Sequence, residues 1–417
     1  MNVNDVYDQR KSFFLEAPAS LKGAAYAAVA VGVLSLAYGF IGEGTGTRTW
    51  GAFLFNLMFF FCLGLGGMAL CAMQDVVGAH WGRPMRRIQE GFGAFVPVAI
   101  LLFVFYLVAV GLGIADAGKV YKWIDDPSIL NHFHGKDAYL VPHWFFIRVG
   151  IVLAAILWLC MWQLKLSTKR DQMALEGDRD AAERFGREVK EKLRFWSAPI
   201  LVIYGTGFTF MGMDLIMSLS PLWFSTLWGG WQFAIMMQTL MASMLITMFI
   251  LKKTNVGMVL ERVNFHDVGK LMHGFTVFFA YLTYAHVLTY WYGNVPEETE
   301  YFLHRMHQPW LGLVITIPII GFIIPLYSLV FKAAKWTPAV AIPLAVLILI
   351  AQWFSNLLIV QPEVIADASS WFPGLELGVF FGMFGLFVLT FLSFAKKNPM
   401  VPVADPLLKN ALEAGHH

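Results

Sequence analysis

Ten stretches of this 417-residue chain are predominantly apolar for 22 residues or more. Each is long enough to cross roughly 30 Å of hydrocarbon as an α-helix. They fall near residues 21–42, 51–78, 91–114, 143–165, 195–219, 224–251, 266–292, 309–331, 337–360 and 373–395. Inside them apolar residues follow one another without the strict alternation of a membrane barrel, so helices are expected. Only 14% of residues are charged, against about a quarter in a soluble domain. The 16% aromatic share suits a lipid-facing surface with interfacial belts. These figures exclude a disordered chain, a disulfide scaffold and a nucleic-acid binder. The expected fold class is an all-α polytopic membrane protein with ten transmembrane helices. Residues 1–20 form one tail, 21–395 the membrane domain and 396–417 a second tail.

Orientation follows from the basic residues. Of the 30 Lys and Arg, 24 lie in the two tails and the loops after spans two, four, six and eight. The positive-inside rule places both termini in the cytoplasm. Glu297, Glu298, Glu300, Glu363 and Asp367 then fall outside. Two loops are large. Residues 166–193 read as a charged helical hairpin extension on the cytoplasmic side, its charges forming a solvated or lipid-headgroup face. The external loop 115–142 holds His132 and His134, but no third ligand sits at a recognised metal-binding spacing.

Cys62, Cys71 and Cys160 all sit in apolar runs, and none forms a C-x-x-C pair. Buried, inert thiols are expected, not cluster ligands or haem attachment points. The polar N-terminus has no secretory apolar core before residue 21, so the first stretch is expected to be a retained span. His416 and His417 are too few for a metal tract.

Ionisable groups within spans cost about 2.5–3.5 kcal/mol each and need a reason to be there. Arg148, Asp214 and His286 lie roughly 10 Å beyond the midplane on the outer side. Glu376 lies slightly further out, and Asp75, Lys270 and His273 lie towards the cytoplasmic interface. Span seven carries His266, Lys270, His273, Thr276 and Thr283 on one broad face, with His286 and Tyr290 on the adjoining sector. This polar stripe suits a proton path of titratable groups linked by hydroxyls and water. Its weakest step, Thr276 to Thr283, is roughly 10 Å. The alternative is that these groups only hydrogen-bond between packed helices. Asp214 and Arg148, at similar depth on consecutive spans, can pair, with Asp214 as proton carrier. Haem b needs two helices each offering a ligand, whereas His273 and His286 share one. Pro199, Pro318, Pro325 and Pro343 each free a carbonyl within a span, a feature of transporter sites.

Two blocks then carry a family resemblance. One is Met213-Asp214-Leu215-Ile216-Met217-Ser218-Leu219-Ser220-Pro221-Leu222-Trp223-Phe224-Ser225-Thr226-Leu227-Trp228-Gly229. The other runs from Gly269-Lys270-Leu271 through Phe275–Tyr281 to Trp291-Tyr292-Gly293-Asn294-Val295-Pro296-Glu297-Glu298-Thr299. With Lys136–Leu140 and Phe145-Phe146-Ile147-Arg148, they resemble the NrfD/PsrC-like membrane subunits of bacterial alternative complex III, closest to the shorter, ActF-type subunit. The resemblance covers most of residues 80–310. It implies two four-helix bundles, spans 2–5 and 6–9, flanked by spans 1 and 10, in the bacterial inner membrane. It also implies a quinol:electron acceptor oxidoreductase complex in which this chain binds no cofactor and offers a proton path and a docking surface. Menaquinol or ubiquinol, haem c and iron–sulfur clusters would belong to partners. Those partners would be a longer NrfD-like membrane subunit, an iron–sulfur/molybdopterin-like subunit and multihaem cytochrome c subunits, with a terminal oxidase as a further candidate. Asp214 matches the acidic residue of the family's M-D-x-x-M-S-L block, and Arg148 the arginine after its paired aromatics. His286 stands where the family's glutamine is expected. The expected proton-path residues are Asp214, His286, His273, Arg148, Thr276, Thr283, Tyr290, Lys270, Asp75 and Glu376. An ion-coupled secondary transporter or a purely structural anchor are the competing readings.

Overall fold

The computed structural model describes residues 3–42, 46–132, 135–176, 179–365 and 372–414. His134, Asp367, His416 and His417 lie outside them, as do the side chains of His132 and Glu297. Ten helices are long and apolar enough to cross a membrane: α1 (Ala19–Ile41), α2 (Gly46–Val76), α3 (Arg83–Leu112), α4 (Pro142–Leu175), α5 (Arg179–Leu219), α6 (Trp228–Leu251), α7 (Arg262–Gly293), α8 (Leu311–Leu329), α9 (Pro338–Val364) and α10 (Gly374–Lys397). The chain is thus a multi-pass helical membrane protein. Helices α2–α5 close one four-helix bundle and α6–α9 a second, with α2 and α5 packing on α6, and α2 also on α9. Helix α2 is buried along its whole apolar length, which explains why its sequence is apolar all round.

Helices α1 and α10 pair with each other and lean on α2. Their seam is glycine against glycine: a Cβ on Gly32 would lie 2.4 Å from Gly382 Cα. Such close backbone approach is how membrane helices associate when lipid offers no hydrophobic drive. Asn56 ties α2 to α9 and α10, accepting from Trp353 Nε1 at 2.8 Å and donating to the Glu376 carbonyl at 3.1 Å.

Both tails lie at one end of the molecule, called here the tail side. Leu15 N–H donates to the Ala395 carbonyl, Met400 N–H to the Phe13 carbonyl, and Tyr7 Oη to the Ala174 carbonyl. The charged hairpin simply continues α4 and α5, and parts of it are exposed ion pairs, as in Arg179–Glu183 and Lys192–Glu188. The expectation of a solvated face fails at Arg170 and Asp171, which are buried. They are covered by the C-terminal segment, whose Ala404 N–H donates to Asp171 Oδ1 at 3.1 Å.

Prolines break two helices, and each freed carbonyl finds a donor in a neighbouring helix. Pro97 lacks the N–H that Gly93 O would accept, and α3 bends at Ala94–Phe95. Cys160 Sγ of α4 takes that carbonyl at 3.6 Å. Pro325 likewise frees Gly321 O next to a π turn at Ile319–Ile323 in α8. Gln238 Nε2 of α6 donates to it at 2.9 Å.

Candidate functional site

The blocks quoted from the sequence converge at the end opposite the tails. The first finishes α5, makes a 3₁₀ turn at Met217–Leu219 and enters α6 at Trp228. Within it Asp214 is 1% exposed. Arg148 of α4 grips it with both nitrogens, Nη2 to Oδ1 at 2.8 Å and Nε to Oδ2 at 3.1 Å. Arg148 also donates to the Tyr139 carbonyl and stacks on the Tyr139 ring at 3.9 Å. A bidentate pair satisfies both partners in a low-dielectric setting. The guanidinium stays a quarter exposed while the carboxylate is buried.

The same block continues to His286 in the second bundle. His286 Nδ1 donates to the Leu282 carbonyl at 2.9 Å, leaving Nε2 facing Ser225 Oγ at 2.8 Å. A carbonyl can only accept, so this pairing puts the proton of a neutral imidazole on Nδ1. Trp223 and Trp231 pack near the ring. Tyr290 Oη reaches the Phe224 carbonyl, and Trp223 stacks on Tyr301 at 4.0 Å. Lys136 pins the connecting loop by donating to Pro221 O at 2.7 Å and Trp223 O at 3.3 Å. Burial pulls the Lys136 amine down to about 8, against a smaller opposing effect of Glu298. Asp214 and His286 thus belong to different bundles but share one anchored loop.

Deeper in the second bundle, Thr276 accepts from Gln238 at 3.0 Å, and Gln352 donates to Gln238 Oε1. Thr283 accepts from Trp231 Nε1 at 2.9 Å. Among the described residues no hydrogen bond joins Thr276 to Thr283. The expected stripe is therefore two separate contacts, both made to α6. It also stops short of Lys270, which is exposed and paired with Asp267 at 2.7 Å. Its long stem lets the ammonium reach the surface, at the cytoplasmic-interface end where the sequence places it. His273 is partly buried, with Nδ1 lacking a partner among the described residues. Glu376 of α10 pairs with Arg48 of α2 at 3.0 Å, tying the flanking helix to the first bundle.

Asp75 belongs to the largest polar feature, at the tail-side end of the first bundle. Eight side chains form a closed ring of alternating charge: Asp75, Arg83, Asp405, Arg170, Asp171, Arg87, Glu90 and Arg86, returning to Asp75. The contacts are Asp75–Arg83 2.9 Å, Arg83–Asp405 3.4 Å, Asp405–Arg170 3.0 Å, Arg170–Asp171 3.3 Å, Glu90–Arg86 2.8 Å and Arg86–Asp75 2.6 Å. Arg87 closes it against Asp171 and Glu90. All eight side chains are at most 6% exposed. Four guanidinium and four carboxylate groups cancel, which is what permits burial. Burial alone would raise the Asp405 carboxyl, but Arg170, Arg83 and Arg86 hold it well below the usual carboxylate range.

Sequence reading counted Arg83, Arg86 and Arg87 as loop charges and missed Glu90. Their spacing at i, i+3, i+4 and i+7 is the signal of one helix face. It also passed over Ser225, Gln238 and Gln352, whose signal was an uncompensated polar group within an apolar run. Between ring and core, Cys71 donates to Gln89 at 3.1 Å and Tyr204 to Gln163 at 2.8 Å. Gln89 Nε2, Gln163 Nε2 and Ser167 Oγ are buried without a partner among the described residues, a polar lining of the kind that binds internal water.

No protein-family model matches the chain, and a search of curated proteins finds no match.

Proposed function

We propose that this chain is a proton-conducting membrane subunit of a quinol-oxidising respiratory complex of the alternative complex III type. In this reading the tail side faces the cytoplasm of a bacterium and the Asp214–His286 end faces outward. Electrons pass through haem c and iron–sulfur clusters of partner subunits, and menaquinol or ubiquinol is oxidised beside them. This chain supplies docking surface and a route for protons.

The observation that supports the route is the pairing of polar ends within one bundle. Glu90 and the charged ring stand at the tail-side end, and Asp214 with Arg148 stands at the other. Between them lie Gln89, Gln163 and Tyr204, uncharged polar groups of the kind that could order water along the route. For Asp214 to take up a proton Arg148 would have to release it, and the bond that Arg148 already makes to the Tyr139 carbonyl would keep the guanidinium at hand. Moving one proton against 100 mV stores about 2.3 kcal/mol, a quantity that quinol oxidation would have to supply. His286 with Ser225 offers the second bundle a comparable outer group.

Purification through a tag on this chain in mild detergent, followed by mass spectrometry and a dithionite-reduced optical spectrum, tests the assembly. Co-purifying multihaem and iron–sulfur subunits are expected; a colourless solitary protein that moves an ion in liposomes would replace this reading with the transporter. The π turn of α8, with Gly321 O turned to Gln238, is the observation that favours that second reading.

A further inference from the structure

Six cationic side chains of the described residues are buried, and five of them are arginines matched to carboxylates: Arg83, Arg86, Arg87 and Arg170 in the ring, and Arg305 with Glu363 at 3.0 Å. The sixth is Lys335, 6% exposed, in the short helix Lys332–Trp336 between α8 and α9. Neither Lys335 nor Lys332 forms an ion pair among the described residues. The Lys335 stem is buried, while its ammonium is not among the buried polar atoms that lack a partner, so an unpaired charge stands at the edge of the packed helices. That stem is pressed onto α7, where a Cβ on Gly269 would lie 2.6 Å from Lys335 Cβ, so the position is held by close packing.

More positive charge surrounds it. Arg262 packs over the Trp336 ring at 3.8 Å, and His266 lies beside the same ring at 5.6 Å. Asp267 is taken by Lys270 at 2.7 Å and faces His266 at 3.9 Å. Glu261 caps α7. Of four cations, Arg262, Lys270, Lys332 and Lys335, only Lys270 has a carboxylate among the described residues, Asp267, and Glu261 is engaged in the helix cap. Burial, then Lys270 and Lys332, pull the Lys335 amine below its ordinary value, the mark of like charges gathered without a counter-ion. His273 Nδ1, buried and unpartnered among the described residues, lies close by on α7. Directly before Lys332 in α8 and the residues that follow it, Tyr327, Val330 and Phe331 are 70%, 60% and 68% exposed.

We propose that this tail-side mouth of the second bundle binds the phosphodiester headgroup of an anionic membrane lipid. Lys335 and Lys332 contact the phosphate, and an acyl chain runs along Tyr327, Val330 and Phe331. Basic pockets between helices at this depth suit such headgroups, and the exposed apolar strip beside the cations distinguishes a lipid from a free anion. The inference is independent of the proton-path reading.

The test uses the full chain, delipidated in detergent and supplied with phosphatidylglycerol, phosphatidylcholine or inorganic phosphate. Melting temperature and lipid retained in native mass spectrometry are the readouts. Phosphatidylglycerol is expected to raise the melting temperature by several degrees and to remain bound, and phosphatidylcholine to do neither. Lys335→Met, which keeps the stem, should cut retention at least tenfold. Lys332→Gln, at an exposed position, should give a smaller loss and serves if Lys335→Met does not fold. Equal effects of the two lipids, or undiminished retention in both variants, would overturn the site. Stabilisation by inorganic phosphate equal to that by phosphatidylglycerol would overturn the lipid assignment.

Discussion

At the scale of single residues, the chemistry turns on how each buried charge is answered. Asp214 and Arg148 form one bidentate pair with the cation partly exposed. Asp214→Asn preserves the shape and removes the charge, so the chain should fold with a modest loss of stability. Breaking a fully buried pair costs about 3–5 kcal/mol, and the exposure of Arg148 lowers that figure. If the proposed route holds, proton translocation in the intact complex fails while quinol oxidation continues; equal loss of both with loss of assembly would favour the anchor. His286→Gln keeps a side chain able to meet Ser225, and translocation is expected to persist. Lys136 gives a pH signature. Its amine is held at about 8 in the fold, below the ordinary value near 10.4. The unfolded chain then binds more protons between those values, and stability rises with pH across that window. Lys136→Met should flatten that slope in thermal melts taken from pH 7 to 10.

Among the helices, the breaks decide which side chains meet. Pro325 frees the Gly321 carbonyl, and Gln238 answers it while also holding Thr276. Gln238→Leu should cost about 1–3 kcal/mol, the penalty of an unanswered buried carbonyl. Pro325→Ala restores an N–H to the helix, so the double variant Gln238→Leu/Pro325→Ala should recover part of the loss. Thermal melts of the four-member cycle measure the coupling, and simple additivity would mean that Gln238 does not serve the break. Cys160 plays the corresponding part at Gly93 O, with the weaker donor.

Over the whole molecule, the last turns of the chain complete what its early helices begin. Asp405 comes from the C-terminal segment, more than 230 residues after Asp171, yet it links Arg83 to Arg170. Asp405→Asn leaves two buried guanidinium groups short of a carboxylate and is expected to destabilise the tail-side end by about 3 kcal/mol. Because the folded carboxyl is held below its ordinary value, its contribution is present above about pH 4 and is lost as pH falls through the depressed value. Hydrogen exchange of residues 83–90 and 165–172 should report the loosening, with the α1–α10 pair unaffected. Unchanged exchange there would mean that the ring closes without Asp405.

Number, length and helical character of the spans were legible in the sequence because lipid requires each helix to satisfy its own backbone and present apolar side chains. The polar positions Asp214, Arg148 and His286 were legible for the same reason: an ionisable group in such a run stands out by its insertion cost. Partners were decided only in the folded chain. Hydropathy records what faces lipid, not which helices touch, so Arg83, Arg86, Arg87 and Glu90 read as a loop until α2, α4 and the C-terminal segment surrounded them. Lys270 reads as lying between the core and the cytoplasmic interface, and only the fold shows its ammonium exposed and paired with Asp267, because a long flexible stem separates where a residue sits from where its charge goes. The polar stripe of α7 was visible as a face of one helix. Its division between Gln238 and Trp231 came from the packing of α6 against it, since a hydrogen bond needs two groups placed within about 3 Å by separate elements.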